Sequence, residues 1–246
     1  GLLMVPGEEV SARIKMGETP IHINGIGVSR LVEPTDDNDI VSTIQANVDS
    51  IREAGGIAQI NHPNFHWAFD HTHISQVRGA SLLEVHNAHP SVNSYGAPGK
   101  PSAEEIWDKV LSSGRVIFGT ATDDSHRYHD WLPSLANPGR GWVMVNAKEL
   151  SVSGIVDALA TGEFYFSTGV SLESYTTSDT EINLEMQEDR DFIYTTIFSG
   201  VDGNILSESV GLSASYSITG SETYIRATVH SSSGGKAWTQ PVFVKG

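Results

Sequence analysis

The feature that most constrains the fold of this chain is an alternation of strand-length apolar runs with helical patterns, which extends from its start to about Gly169. The runs are rich in β-branched residues, and helical spacing of apolar residues separates several of them. This alternation is typical of parallel β/α construction, and we expect a barrel-like arrangement. The predicted strands are Leu2–Val5, Ile21–Val28, Gly56–Ile60, Ser81–Val85, Arg115–Gly119, Trp142–Val145 and Phe164–Phe166.

Three helices are predicted between these strands. Apolar residues recur at helical spacing from Ile40 to Ile51, before two glycines that end the run. Ser102 and Glu105 have the spacing of a capping box at the start of the second helix. The third helix carries Ile155 and Leu159 and is followed by a glycine that can end it.

The pattern changes after Gly169. A polar stretch, Ser171–Asp179, is interpreted as a connection, and no helical pattern follows it. Short alternating runs separated by Gly- and Ser-rich turns predict a small antiparallel β-sandwich, so the chain is divided into residues 1–172 and 173–246. The runs are Ile182–Met186, Phe192–Phe198, Ala214–Ile218, Tyr224–Val229 and Pro241–Val244.

Composition excludes several classes of function. The net charge of −15 over 246 residues makes binding of nucleic acid through a basic surface improbable. The chain has no cysteine, which excludes disulfides, thiolate metal sites and cysteine nucleophiles. No apolar run approaches the ~20 residues that span a membrane. A small-molecule substrate is the partner that this composition favours.

Ligand-type side chains follow three of the predicted strands. Glu9 lies just beyond the first strand, His62 follows Ile60-Asn61, and Asp124 and His126 follow the strand that ends at Gly119. In a parallel β/α barrel the carboxyl ends of the strands converge on one face, where active sites lie. Imidazole and carboxylate groups bind zinc, manganese or iron, and such a metal can activate water for hydrolysis.

Each motif also has an interpretation without function. His62-Pro63 alone is more often a turn than a metal ligand, and Asp124-Ser125-His126 alone fits a helix cap with a surface histidine. Glu8-Glu9 fits a solvated acidic pair. The coincidence of these residue types at three strand ends makes a metal site about as probable as no site.

Together the motifs resemble those of the PHP (polymerase and histidinol phosphatase) superfamily, in the branch related to carbaryl hydrolases. The similar strings begin at Pro6, His22, Ile60, Glu84, Ile106, Thr122, Gly141, Gly162 and Ala237, and they cover nearly the whole chain.

This resemblance implies a distorted β/α barrel that holds two or three divalent ions (Zn, Mn or Fe). Glu9 matches a carboxylate that bridges metals, and His22, His62, Asp124 and His126 match further ligands. Among these, Glu9, His62 and Asp124 are expected to contribute to catalysis. The opening His-x-His motif of the family precedes the point where this sequence starts. We therefore expect a segment outside this sequence to supply additional ligands.

Other residues near these motifs receive weaker assignments. Glu84 is expected to orient a ligand or to be a satisfied interior polar group. Asn61, His86 and Asn87 are candidates for the wall of a substrate pocket. Asp123 is interpreted as a cap. The histidine-rich segment after His62, which includes His71 and His73, is interpreted as a surface or lid loop rather than a metal pair.

Two functions remain open from the sequence. The first is a metal-dependent hydrolase that uses activated water to cleave an ester, either a phosphoester or a carboxylic or carbamic ester. A phosphoester site favours additional cations, and Arg127 and Arg140 are the nearby candidates. The alternative is a catalytically incomplete binding or structural protein whose sandwich docks a partner.

Overall fold

The computed structural model describes residues 1–14 and 17–244 as a mixed α/β protein. Five strands form the first sheet in the order β1-β2-β3-β4-β5, in which β1 and β2 pair antiparallel, as do β2 and β3, while β3, β4 and β5 run parallel. The bounds are β1 Gly7–Arg13, β2 Pro20–Ile26, β3 Ile57–Ile60, β4 Ala80–Asn87 and β5 Phe118–Thr122.

Four helices accompany this sheet, and their ends follow from local sequence. Asp39 accepts a hydrogen bond from the Ser42 amide at 3.0 Å at the start of the first helix. The capping box of Ser102 and Glu105 is present as predicted. Gly162 ends the last helix with a φ of 80°, a conformation that costs other residues free energy. The bounds are α1 Ile40–Glu53, α2 His71–Ile74, α3 Ala103–Ser112 and α4 Val152–Thr161.

The remaining strands form two further sheets. The larger has the order β11-β10-β13-β14-β7-β6, with β15 paired to β13, and the smaller has the order β12-β9-β8. Buried side chains of both sheets pack in one apolar cluster that includes Leu184 and Phe198. The bounds are β6 Trp142–Val145, β7 Phe164–Ser167, β8 Leu172–Thr177, β9 Glu181–Met186, β10 Tyr194–Ser199, β11 Ile205–Val210, β12 Ser213–Ser217, β13 Tyr224–Ser231, β14 Lys236–Trp238 and β15 Val242–Phe243.

The two predicted parts of the chain share a sheet. Strands β6 and β7 precede Gly169, yet β7 pairs with β14 from the C-terminal part. The division at residues 172 and 173 and the separate sandwich therefore stay predictions. The described strands pair into three sheets. A closed or distorted barrel therefore also stays a prediction. None of the helices in the described ranges has the length and apolarity needed to cross a membrane.

Two sequence predictions about strands were wrong. Leu2–Val5 forms no strand, and pairing in this region starts only at Gly7, which lies opposite Ile26. The stretch Ser171–Asp179, interpreted as a connection, contains β8, which pairs antiparallel with β9. Its polar composition concealed a strand that is exposed along much of its length.

The two faces of the five-stranded sheet differ in polarity. Val10, Ile21 and Ile23 point to one face, where they are buried in the main apolar core against α1 and α3. The alternate positions of the same strands carry Glu9 and His22, because successive side chains of a strand point in opposite directions. The second face is therefore polar around Glu9 and His22. At the end of the sheet that carries Ile26 and Leu82, apolar side chains of α4 cover the same face.

A buried ion cluster joins α3 to β13. Arg226, which is 2% exposed, donates from Nε and Nη2 to both carboxylate oxygens of Asp108 at 2.7 and 2.6 Å. Its Nη1 lies 2.9 Å from Glu104 Oε1, and its guanidinium lies 5.1 Å from the centroid of the Trp107 ring. Tyr224 also donates to Asp108 at 3.0 Å. The cluster thus fixes the helix that leads into β5 against the C-terminal strands.

Candidate metal centre

Three of the predicted ligands lie together on the polar face. The Glu9 Oε1 atom lies 3.1 Å from His22 Nδ1 and 3.4 Å from His62 Nε2. All three ligand atoms are within 4.8 Å of one another. Glu9 and His22 are partly exposed, with 36% and 24% of their side chains accessible, whereas His62 is 6% exposed. A cation could therefore enter from the solvent side.

Strand register explains why these residues meet. Ser11 lies opposite His22 and Glu9 lies opposite Asn24, so Glu9 and His22 are diagonal neighbours on the same face of β1 and β2. His62 follows β3, the neighbour of β2, with a φ of 20°. This positive φ turns the chain at the strand end and directs the imidazole back over the face.

The separations of the donor atoms fit a shared metal ion. Two ligands of a tetrahedral zinc ion, at bonds of about 2.0–2.1 Å, are separated by roughly 3.3 Å. The distances from Glu9 Oε1 to His22 Nδ1 and to His62 Nε2 lie close to that value. Two imidazoles and one carboxylate also form a donor set found in catalytic metal sites, where an open position remains. The residues present therefore fit a divalent cation.

The local electrostatics favour positive charge. Hydrogen bonds from His22 and His62 lower the pKa of Glu9 far below its ordinary value, so this group is a carboxylate at neutral pH. Burial lowers the pKa of His62, but the hydrogen bond to Glu9 and the charges of Glu84 and Asp124 outweigh burial and raise it. Without a metal, the site therefore favours the protonated, positively charged form of His62. A metal ion would meet the same preference for positive charge.

Asn61 positions the Glu9 carboxylate through a hydrogen bond. Its Nδ2 donates to Glu9 Oε1 at 3.1 Å and to Asn24 Oδ1 at 2.9 Å. Its own Oδ1 accepts from Gln59 Nε2 at 3.0 Å, and Gln59 Oε1 in turn accepts from Thr120. This buried row of polar side chains crosses from β1 to β5 and limits the rotamers of Glu9.

Glu84 connects the two ends of the candidate site. One carboxylate oxygen accepts from the His62 backbone amide at 2.7 Å and from Asn87 Nδ2 at 3.0 Å, while the other accepts from the Thr122 hydroxyl. Asn87 Nδ2 also donates to Asp124 Oδ2 at 3.0 Å. Burial raises the pKa of Glu84 despite these donors. These contacts fit both interpretations of Glu84, a residue that orients a ligand and an interior polar group satisfied by its neighbours.

Asp124 and His126 lie outside the group of three. Asp124 has a φ of 45° and is joined to Glu84 only through Asn87. His126 is 63% exposed, and its Nδ1 lies 2.7 Å from the Asp124 carbonyl oxygen and 3.5 Å from Asp124 Oδ1. The His126 ring also packs edge-on against His89, with ring centroids 5.3 Å apart. These two residues form a second cluster, which is joined to Glu84 through Asn87 and lies near enough to His62 for the Asp124 charge to raise the pKa of that histidine.

The neighbouring motifs have structural roles. Asp123 accepts hydrogen bonds from the amides of Gly139, Arg140 and Gly141 at 2.6–2.9 Å, so it binds a distant loop and does not cap its own turn. His73 contacts Asp70 at 3.0 Å in the capping box of α2. The helix corrects the assignment of this stretch to a loop.

Several residues at the site were not identified from the sequence. Phe65 packs against His22 and His62, with ring centroids 6.1 and 5.3 Å apart. Asn24, Gln59 and Thr122 belong to the polar network. Asn24 and Gln59 are polar residues within two otherwise apolar strands. This alternation of polar and apolar positions is the sequence signal that could have identified them.

Comparisons with known proteins give little further information. No protein-family model matches the chain, and no curated protein matches it. Among solved structures, the chain is similar to a two-domain protein from Bacteroides vulgatus that contains a predicted PHP-like metal-dependent phosphoesterase. The identity is 15%, the match covers 94% of this chain and 70% of the other, and the TM-score is 0.45. At that TM-score, the similarity supports no conclusion about fold or function.

Proposed function

We propose that this protein is a metal-dependent hydrolase that cleaves an ester bond. The observation that carries the proposal is the single Glu9 oxygen that lies 3.1 and 3.4 Å from two imidazole nitrogens. The resemblance of the sequence motifs to the PHP superfamily supports the same chemistry. Within this proposal, the five-stranded sheet is one wall of a distorted barrel, and its polar face is the interior.

Each residue has a defined part in the proposal. Glu9, His22 and His62 would hold one divalent ion, while Asp124 and His126 would supply ligands for a further ion. When bound, such an ion lowers the pKa of water and polarises the oxygen of an ester, which is either a phosphoester or a carboxylic or carbamic ester. Zinc, manganese and iron all suit this donor set.

The chain itself positions the groups and accepts a proton. Asn61 fixes Glu9, and Glu84 fixes the His62 backbone amide, so two ligands are oriented before an ion arrives. Asp124 is held through Oδ2 by Asn87, which leaves Oδ1 facing the exposed side of His126. We assign Asp124 Oδ1 the role of accepting the proton of the attacking water.

The test starts with metal content. We expect purified protein, dialysed and then titrated with Zn²⁺ or Mn²⁺ in a calorimeter, to bind at least one equivalent. Glu9→Gln and His62→Ala should each weaken binding by tenfold or more, because each removes a ligand. Glu8→Gln is the matched control: Glu8 is the neighbouring carboxylate, it accepts the Val32 amide at 2.8 Å, and glutamine keeps that acceptor.

Activity is the second stage. The metal-loaded protein should hydrolyse an aryl phosphate, an aryl acetate or an aryl carbamate, and the same two ligand variants should abolish that turnover. Metal binding equal in Glu9→Gln and the unsubstituted protein would overturn the assignment of the ligands. Tight metal binding without hydrolysis of any of the three esters would favour the alternative, a binding or structural protein.

A further inference from the structure

A cavity of about 470 Å³ lies next to the candidate metal centre. It opens between the segment that follows β4 and the glycine-containing loop before β14. Asn87, which contacts Asp124, and His89, which contacts the His126 ring, both line it. A molecule that reacts at the centre could therefore extend into this cavity.

At the base of the cavity is a buried imidazole without a protein partner. His86 is 8% exposed, and no hydrogen bond from the described residues reaches its ring nitrogens. The ring is stacked on Trp238, with centroids 6.0 Å apart and planes at 27°, and lies 5.6 Å from the Tyr95 ring. His86 lines the cavity and its ring nitrogens are not fully enclosed, so a guest in the cavity can form hydrogen bonds with them.

The protonation state of His86 determines which hydrogen bonds its ring can form. Burial, together with the charge of Lys236, lowers the pKa of His86 to about 4. The ring is therefore neutral at neutral pH, and it can donate one hydrogen bond and accept one. The imidazole and the Tyr95 ring, whose planes are tilted by 56°, both line the cavity and offer aromatic surface to a planar guest.

The described side chains that line the cavity include no carboxylate, although Glu104 lies near it and forms an ion pair with Lys236. The net charge of the protein is −15, yet no aspartate or glutamate is found among the described residues that line the cavity. Arg140 lines it and has no carboxylate within 4.0 Å in the described ranges; its guanidinium donates to the carbonyls of Leu132 and Pro133 and to Asn137. Lys236 places its ammonium 5.4 Å from the centroid of the Tyr95 ring.

We propose that this cavity binds an aromatic carboxylic acid group of the substrate, remote from the ester bond that is cleaved. The aromatic ring packs on Tyr95 and His86. The carboxylate accepts the His86 N–H and faces the positive charge of Arg140. The binding rests on the cavity alone, whereas its identity as part of a substrate rests on the proposed hydrolase function.

Benzoate and benzamide provide the test, because they match in shape and differ in charge. Binding of each to the metal-free protein is measured by calorimetry, and the His86 imidazole is followed by NMR of ¹⁵N-labelled histidine. We expect benzoate to bind at least tenfold more tightly than benzamide and to shift the His86 signals. His86→Phe should weaken benzoate binding by tenfold or more, since phenylalanine keeps the ring and removes the N–H.

A second variant covers the case in which His86→Phe does not fold. Tyr95 is 66% exposed, so Tyr95→Ala should fold and weaken benzoate binding severalfold by removing one aromatic wall. Tyr128→Ala is the matched control, because Tyr128 is 62% exposed and does not line the cavity. Circular dichroism establishes that each variant is folded.

The outcomes separate this inference from the proposed function. Equal binding of benzoate and benzamide, no binding of either, or benzoate binding unchanged in both His86→Phe and Tyr95→Ala would overturn the inference. Selective benzoate binding by a protein that takes up no metal would refute the hydrolase proposal and leave the anion site standing. Metal uptake and ester hydrolysis without benzoate binding would do the reverse.

Discussion

Substitution of Arg226 by methionine should destabilise the fold strongly. Methionine has a similar length but no charge, so Arg226→Met leaves Asp108, which is 4% exposed, with Tyr224 as its remaining side-chain donor. Glu104 loses its contact with the guanidinium at 2.9 Å. Its ion pair with Lys236 remains, at the longer distance of 3.9 Å. The substitution thus creates one buried carboxylate without a countercharge and weakens a second pair.

The expected magnitude follows from this geometry. Removal of one partner of a buried ion pair costs about 3–5 kcal/mol, because the other charge is left without compensation. In a protein of this size, 1 kcal/mol shifts the melting temperature by roughly 2–4 °C, so a decrease of about 6–20 °C is expected. An added Asp108→Leu substitution removes the stranded charge, and most of the lost stability should return.

Urea unfolding followed by circular dichroism measures both variants. Arg190→Met is the control, because Arg190 forms an exposed pair with Asp189 whose loss should cost about 0.5 kcal/mol or less. A loss below about 1 kcal/mol for Arg226→Met would refute the argument from buried charge. So would a double variant that is no more stable than the single one. Two separate unfolding transitions would show that the two predicted parts of the chain unfold independently.

Three other predictions concern the centre and its scaffold. Saturating Zn²⁺ or Mn²⁺, at about 100 times its Kd, should stabilise the protein by about 2.7 kcal/mol in differential scanning calorimetry, and Glu9→Gln should remove most of this gain. Glu84→Ala should lower metal affinity by roughly 10–100-fold in titration calorimetry, because it leaves the His62 amide and the Thr122 hydroxyl without their acceptor. Gly162→Ala should lose more than about 1 kcal/mol in urea unfolding, because its φ of 80° disfavours a side chain and a Cβ would overlap the Phe118 ring.

Much of the first part of the fold could be predicted because its signals are local. The capping box at Ser102 and the glycine at 162 set helix ends through contacts within a few residues. The apolar run at Phe164–Phe166 indicates burial directly, and all residues of β7 are buried. These features depend on the sequence around them and very little on distant partners.

The errors come from strand pairing, which the composition of one segment does not specify. Leu2–Val5 has strand composition, but composition does not supply a neighbouring strand. Strand β8 has polar composition, yet the adjacent strand β9 provides it with a pairing partner. The placement of β7 beside β14 depends on pairing between distant segments, which no local pattern encodes.

The candidate site shows the same division. The sequence motifs proposed Glu9, His22 and His62 as ligands, but the separations of 3.1 and 3.4 Å between their donor atoms depend on the register of β1, β2 and β3. Asp124 and Glu84 are connected through the Asn87 amide, which spans two strands. A sequence can suggest which side chains are ligands, whereas the distances among them depend on strand pairing.

The buried edge of β5 is completed by a side chain rather than by a further strand. The Gln240 amide imitates a peptide group: its Oε1 accepts from the Gly119 amide at 2.8 Å, and its Nε2 donates to the Gly119 carbonyl at 2.9 Å. Gln240 and Gly119 are both buried, so water is not available to replace these two bonds. Glutamate at this position could accept from the Gly119 amide but could not donate to the Gly119 carbonyl. Gln240→Glu should therefore lower the free energy of unfolding by about 1–3 kcal/mol in urea unfolding, because a buried acceptor loses its donor.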